Sequence, residues 1–189
     1  MEKDEELCHK KIMNFLNGKR WIVNKNQCRG CFLQKHQKDL SPYLDPIFED
    51  KDICIRQDAE WSIPAFYIIS TKKHISSLID MPINLALKLA GATYFTRKAM
   101  KNVLKIDKAQ IYHEERLINS HYHQWILPLW PHAMKHYNIY PKIYDSNVKK
   151  YINLFKFKNN YKNILKLNKK IRDYFLNNRE VIKFFKTPI

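Results

Sequence analysis

The stretch that most constrains this chain is Ile118-Asn119-Ser120-His121-Tyr122-His123-Gln124-Trp125-Ile126-Leu127-Pro128. It is rich in β-branched and aromatic residues, polar and apolar side chains alternate, and Pro128 stops the run, so it reads as a strand. Successive side chains of a strand point to opposite faces. His121, His123, Trp125 and Leu127 therefore share one face, and Tyr122, Gln124 and Ile126 the other. Two imidazoles two positions apart lie side by side on a rigid backbone. Such a pair supplies a metal ligand and a nucleophile, or two metal ligands, or simply two half-exposed strand histidines.

The remaining chain has room for a full domain around that strand. Of 189 residues, 45% are hydrophobic and 13% aromatic, which suits one folded domain with a sizeable core and an appendage. No uncharged apolar run of about 18 residues exists, so no membrane span is expected. The opening Met1-Glu2-Lys3-Asp4-Glu5-Glu6 is acidic and lacks the apolar centre of a secretory signal. Cytoplasmic residence is the expectation. The net charge of +16 is uneven: from Leu129 onward there are fourteen basic side chains against Asp145, Asp173 and Glu180.

Read in order, residues 4–22 have helical spacing at Cys8, Ile12, Phe15 and Leu16. Cys28-Arg29-Gly30-Cys31 reads as a tight turn. Ile47–Asp50 and Ile53–Ile55 read as a hairpin around Asp50-Lys51-Asp52, and Ala65–Ser70 as a central strand. A long helix is predicted over 82–104, with Pro82 suited to its first turn. Gln110–Glu114 is a strand that pairs with the histidine strand after a turn at Arg116-Leu117. Two helical stretches follow between 146 and 178, with apolar positions Val148, Ile152, Phe155 and then Ile164, Leu167, Ile171 and Phe175. The class predicted is α+β: an antiparallel sheet of about five strands with helices to one side, plus a helical C-terminal extension. Residues 1–135 form the main domain in this reading and 136–189 the basic extension.

In a cytosolic chain, cysteines are thiols or metal ligands before they are disulfides. Cys28 and Cys31 have the Cys-x-x-Cys spacing that puts two sulfurs on one side of a turn. With His74, after the central strand, and His121 they would complete a four-coordinate Zn2+ site. A redox pair is disfavoured, because no strand immediately precedes a helix in this reading.

These parts together resemble the histidine-triad superfamily. Its motif strand is His-x-His-x-His-x-x-Pro, matched here by His121-Tyr122-His123-Gln124-Trp125-Ile126-Leu127-Pro128. Many members carry the N-terminal Cys-x-x-Cys, matched by Cys28 and Cys31. A strand ending in a Pro-Lys-Lys/Arg-His-like segment is matched by Ser70-Thr71-Lys72-Lys73-His74, with Leu78 beyond. A long helix separates that segment from the motif strand. The resemblance covers residues 28–128. It implies zinc held by Cys28, Cys31, His74 and His121, and His123 as the nucleophile that takes a nucleoside monophosphate. It places Ile47, Phe48 and Ile55 at a purine-binding wall, Asp58 at the ribose hydroxyls, and Ser120 beside a phosphate oxygen. Members are often dimers, so a homodimer is expected.

The third motif position is Trp125, where His, or the Gln of the uridylyltransferase branch, would stand. An indole cannot accept a proton. Gln124 stands one residue early and faces the other way unless a β-bulge rotates it in. His113, Glu114, Glu115 and His132 are the candidates for leaving-group help. The function implied is a nucleotide hydrolase or nucleotidyltransferase working through a nucleotidyl-His123. Its substrate would be a dinucleoside polyphosphate, a nucleoside phosphoramidate or a nucleotide sugar. Two alternatives follow from Trp125 and the basic tail. One is a zinc-stabilised module that binds nucleotide or nucleic acid without catalysis. The other is an enzyme that removes adenylate from a strand end. For the tail, with Lys149, Lys150, Lys156, Lys158, Lys162, Lys166, Lys169 and Lys170, the readings are a solvated helix pair, a phosphate-binding footprint, or an anionic membrane surface.

Overall fold

A computed structural model describes residues 10–15, 19–24, 26–40, 42, 44–61, 63–115, 120–131, 151, 153, 155 and 160–187. β1 (Lys10–Asn14) and β2 (Arg20–Asn24) form a separate antiparallel hairpin, followed by helix α1 (Arg29–His36). β3 (Phe48–Glu49), β4 (Ile53–Gln57), β5 (Tyr67–Thr71), β6 (Ala109–His113) and β7 (His123–Pro128) make one antiparallel sheet in the order β3-β4-β5-β7-β6. Helix α2 (Ile83–Leu104) connects β5 to β6, and α3 (Asn160–Asn177) and α4 (Arg179–Lys186) close the described chain. None of the described helices is long and apolar enough to cross a membrane.

Period-two alternation divides the sheet into two chemically different faces. Ile53, Ile55, Tyr67, Ile69 and Ile126 pack with Leu89, Ala92, Phe95, Ala99 and Met100 of α2 in the main core. The register carries the other face across the strands. Cys54 pairs with Ser70 and Ser70 with His123, while Arg56 pairs with Ile68 and Ile68 with Trp125. That second face is the one left for chemistry.

α2 begins directly after Pro82, whose fixed φ suits a helix start. It ends at Lys105 in the left-handed region (φ 59°), where the Lys105 and Ile106 amides take the last free carbonyls at Lys101 and Met100. α3 and α4 pack against this core. Ile171, Phe175 and Val181 join the core beneath the sheet, and Phe48 stacks on Phe185 at 4.2 Å between ring centres. Lys162, Lys166, Lys169 and Lys170 face outward from α3.

Two local expectations are corrected. The helix expected over residues 4–22 is, from Lys10 on, the β1–β2 hairpin. Met13 and Phe15 alternate, as do Trp21 and Val23, and these residues join a small cluster with Leu44 and Ile164; short apolar runs do not separate the two periods by themselves. The turn expected at Cys28–Cys31 is the N-cap and first turn of α1. His121 lies just ahead of β7. The expected turn at Arg116-Leu117, together with Ile118, Asn119 and most of the stretch from 132 to 159, lies outside the described residues.

Candidate active site and metal centre

The Cys28 side chain caps α1, accepting from the Cys31 amide at 3.4 Å, so both sulfurs project from one helix end. The opposite wall comes from the sheet. The Tyr122 amide donates to the Ile75 carbonyl at 2.7 Å and the Thr71 amide to the Tyr122 carbonyl at 3.3 Å. These bonds tie the segment after β5 to the start of β7, so His74 and His121 stand together. One ligand atom from each of Cys28, Cys31, His74 and His121 lies within 4.8 Å of the others. His121 Nδ1 is 3.3 Å from Cys28 Sγ and 3.4 Å from Cys31 Sγ, and His74 Nδ1 is 3.5 Å from Cys31 Sγ.

The hydrogen bonding of His121 suits a ligating ring. His121 Nε2 donates to the Thr71 carbonyl at 2.8 Å, which leaves the Nδ1 lone pair facing the sulfurs. Gln34 Nε2 donates to that same carbonyl at 2.5 Å. Such outer hydrogen bonds fix the tautomer and angle of a ligating ring. Burial raises both thiols. At Cys28, a His121 ring protonated on both nitrogens and the Cys31 amide outweigh it and bring the group down to about 6. At Cys31, burial and the neighbouring Cys28 push the group up to about 11. Two sulfurs and two imidazoles on one point are the donor set of four-coordinate zinc, so these residues fit that metal. Gly30 permits the approach: a Cβ there would lie 2.6 Å from His121 Cγ.

His123 lies beyond the metal set on the open face of the sheet. Its Nδ1 donates to the His121 carbonyl at 2.5 Å, which makes Nε2 the nitrogen with the lone pair. The ring lines a cleft of about 140 Å³ between the sheet and α1. Trp125 stands edge-on to it, with ring centres 4.2 Å apart at 88°. Ser120, Asp58 and Glu114 line the same cleft, and Arg29 and Glu60 form an ion pair in its wall.

Four residues weighed for nucleotide binding, Ile47, Phe48, Ile55 and Gln124, are not brought to this cleft, Ile55 being buried in the α2-side core. Ile47 is buried in the α2-side core and Phe48 packs against the C-terminal helices. Gln124 points to α2, where Thr93 Oγ1 donates to its Oε1 at 2.7 Å and its Nε2 donates to the Tyr122 hydroxyl at 3.2 Å. The β5–β7 register runs unbroken from Ser70–His123 to Tyr67–Ile126, so no bulge turns Gln124 inward. Of the described candidates for leaving-group help, His113 donates through Nδ1 to the His123 carbonyl at 3.1 Å, and Glu115 accepts from Ser77 and Leu78. Glu114 alone of these lines the cleft. The cleft residues missed in the sequence include Arg56, Ile68, Ser70, Leu33 and Met13. Counting back in twos from Ser70, once it was paired with His123, would have found Ile68.

No protein-family model matches the chain, and no curated protein matches it. Solved structures do. A hypothetical histidine triad nucleotide-binding protein from Sulfolobus tokodaii superposes with a TM-score of 0.54 at 19% identity, over 78% of this chain and 94% of that one. A Hit-like protein involved in cell-cycle regulation from Bartonella henselae gives 0.53 at 17% identity, over 78% and 98%. A Zn-bound histidine triad family protein from Mycobacterium smegmatis gives 0.52 at 14% identity, over 79% and 97%. This chain has the histidine-triad fold. In that fold, β7 with the two residues before it carries the His121–Pro128 stretch, with Trp125 two residues after His123. The α1 end carrying Cys28 and Cys31 follows a strand closely, the context withheld from it in the sequence. The imidazoles near both sulfurs make it a set that could hold a metal ion.

Proposed function

We propose that this chain is a histidine-triad nucleotide hydrolase or transferase working through a nucleotidyl-His123. The observation that carries the reading is the His123 ring: its Nδ1–H is held by the His121 carbonyl, and the ring lines the cleft. A neutral imidazole so held attacks the α-phosphorus through Nε2, the bond to the leaving group breaks, and that group departs with the electron pair. Ser120 and Asp58 line the same cleft, where they serve the phosphate and the ribose hydroxyls. Glu114 follows His113, which pairs with Gln124, so it comes level with His123 across the sheet. Its carboxylate takes the proton of the water that cleaves the P–N bond. Zinc held by Cys28, Cys31, His74 and His121 supplies a structural cross-link between α1, the segment after β5 and the start of β7.

The test uses a panel of nucleoside phosphoramidates, dinucleoside polyphosphates and nucleotide sugars. Wild-type protein turns over at least one of them and carries a nucleoside monophosphate on His123, seen by intact-mass and peptide mass spectrometry. His123→Ala abolishes turnover and adduct with folding intact, and Glu114→Gln slows release of the adduct more than its formation. Turnover surviving in His123→Ala refutes the reading. A second reading keeps binding and drops turnover. Trp125 favours it, since an indole neither accepts nor returns a proton beside the leaving group. Mononucleotide binding without turnover of any panel member selects it.

A further inference from the structure

Arg56 is the most unusual group in the cleft. It is 2% exposed, it lines the cleft, and its Nη1 has no hydrogen-bond partner among the described residues. The guanidinium hydrogen-bonds Cys54 and lies near Asp58 and Glu49, but a buried N–H left without an acceptor is costly, so Nη1 in a binding cleft points to a ligand atom. Ser70 Oγ, on the neighbouring strand, is also buried without a partner among the described residues and lines the same cleft. Ser70 pairs with Cys54, two residues before Arg56, which makes Ser70 and Arg56 diagonal neighbours on one face. The side chains therefore present two donors to whatever lies over β4 and β5.

The position says which part of a nucleotide that is. β4 is two strands from β7, and Arg56 is one residue pair along from the row holding His123. With strands about 4.8 Å apart and about 3.3 Å per residue, their Cα atoms are roughly 12 Å apart. With the phosphorus at His123, a base at about that distance along the cleft would come over Arg56. The charge of the wall says what kind of atom meets Nη1. Arg29 and Arg56 face Asp58, Glu60 and Glu114 in the lining, so a second anion would enter a wall with more carboxylates than guanidinium groups. A neutral carbonyl acceptor meets no such opposition.

We infer that Arg56 selects the base, donating through Nη1 to a ring carbonyl, so that the cleft takes oxo bases and disfavours their amino counterparts: guanine over adenine, uracil over cytosine. This rests on the nucleotide-binding reading above and adds the specificity to it. Guanine offers O6 and N7 as acceptors on one edge. Adenine puts an N6 amino donor where O6 would be, opposing the guanidinium donor.

The experiment is calorimetric binding of GMP, IMP, AMP, UMP and CMP to the full chain, which needs no turnover. GMP and IMP are expected to bind roughly tenfold or more tighter than AMP, and UMP tighter than CMP by a similar factor. Arg56→Met, which keeps the side-chain volume and loses the donors, brings each pair to equal affinity. If that variant does not fold, the wild-type ligand series stands alone, because IMP and AMP differ at the atom in question. Equal affinities for IMP and AMP in the wild type overturn the inference while leaving nucleotide binding in place. A preference that persists in Arg56→Met overturns it too. Absence of binding by any of the five removes both the inference and the reading beneath it.

Discussion

Asp58 shows how one side chain serves both turn and cleft. Its Oδ1 accepts from the Glu60 and Trp61 amides at 2.9 and 2.8 Å, closing the bend after β4. Burial pushes its carboxyl up to about 6 from the ordinary 3.8, although those amides pull it down. The folded chain therefore holds this proton at a pH where the unfolded chain has lost it. The stability from this group is complete below about 3.8 and is lost as pH rises through about 6. Asp58→Asn keeps the amide acceptor and removes the charge. The melting temperature of the variant should gain on wild type between pH 4 and pH 7, by a few degrees; parallel pH profiles would show that the carboxyl titrates normally. That Asp58 stands at the cleft was legible in the sequence through its place in the resemblance. That burial raises its carboxyl was not, because burial is a property of the folded chain rather than of the local sequence.

At the scale of elements, the closeness of α2 to α4 rests on Gly91. A Cβ there would lie 2.1 Å from Phe184 Cζ. Phe184 also meets Phe95 at 5.4 Å and Phe185 at 5.1 Å between ring centres, so it has little freedom to retreat. On an exposed helix, Gly→Ala stabilises by about 0.5–1 kcal/mol. Here overpacking decides the sign, and Gly91→Ala should destabilise by about 1–3 kcal/mol. Urea unfolding measures the loss, and faster amide exchange confined to α4 would locate it. Neither the contact nor its partner is visible in the sequence, where Gly91 and Phe184 are far apart. The long helix itself was readable, since its apolar periodicity runs for 22 residues. The β1–β2 hairpin was not, because its strands are five residues each and helical and strand periods fit such runs equally well.

For the whole molecule, the cluster of Cys28, Cys31, His74 and His121 joins parts that the chain separates. Cys28 and His121 are 93 positions apart and meet at 3.3 Å. Hydrogen bonds to the Thr71 carbonyl from Gln34 and His121 bring α1 to the sheet at the same place. Removing the ion should loosen α1 and open the cleft that it walls. Wild-type protein is expected to carry one zinc per chain by elemental analysis. Chelation should lower the melting temperature and weaken mononucleotide binding, and added zinc should restore both. Cys28→Ser with Cys31→Ser should melt at the chelated value and show no further response to chelator. A full zinc complement in that double variant would place the ion elsewhere.

The sequence alone carried the strand with its two histidines, the Cys28–Cys31 spacing, and the order of the sheet segments around a long helix. These are local patterns, set by period, spacing and residue type. Which face of each strand met α2 and which met the cleft was decided only by tertiary structure. Alternation says that two faces exist, but burial against a distant helix chooses between them. That choice sent Ile47, Phe48 and Gln124 away from the cleft and turned Arg56, Ile68 and Ser70 into it. The unpartnered guanidinium donor arises from the same choice, since only the folded sheet withdraws Arg56 from water.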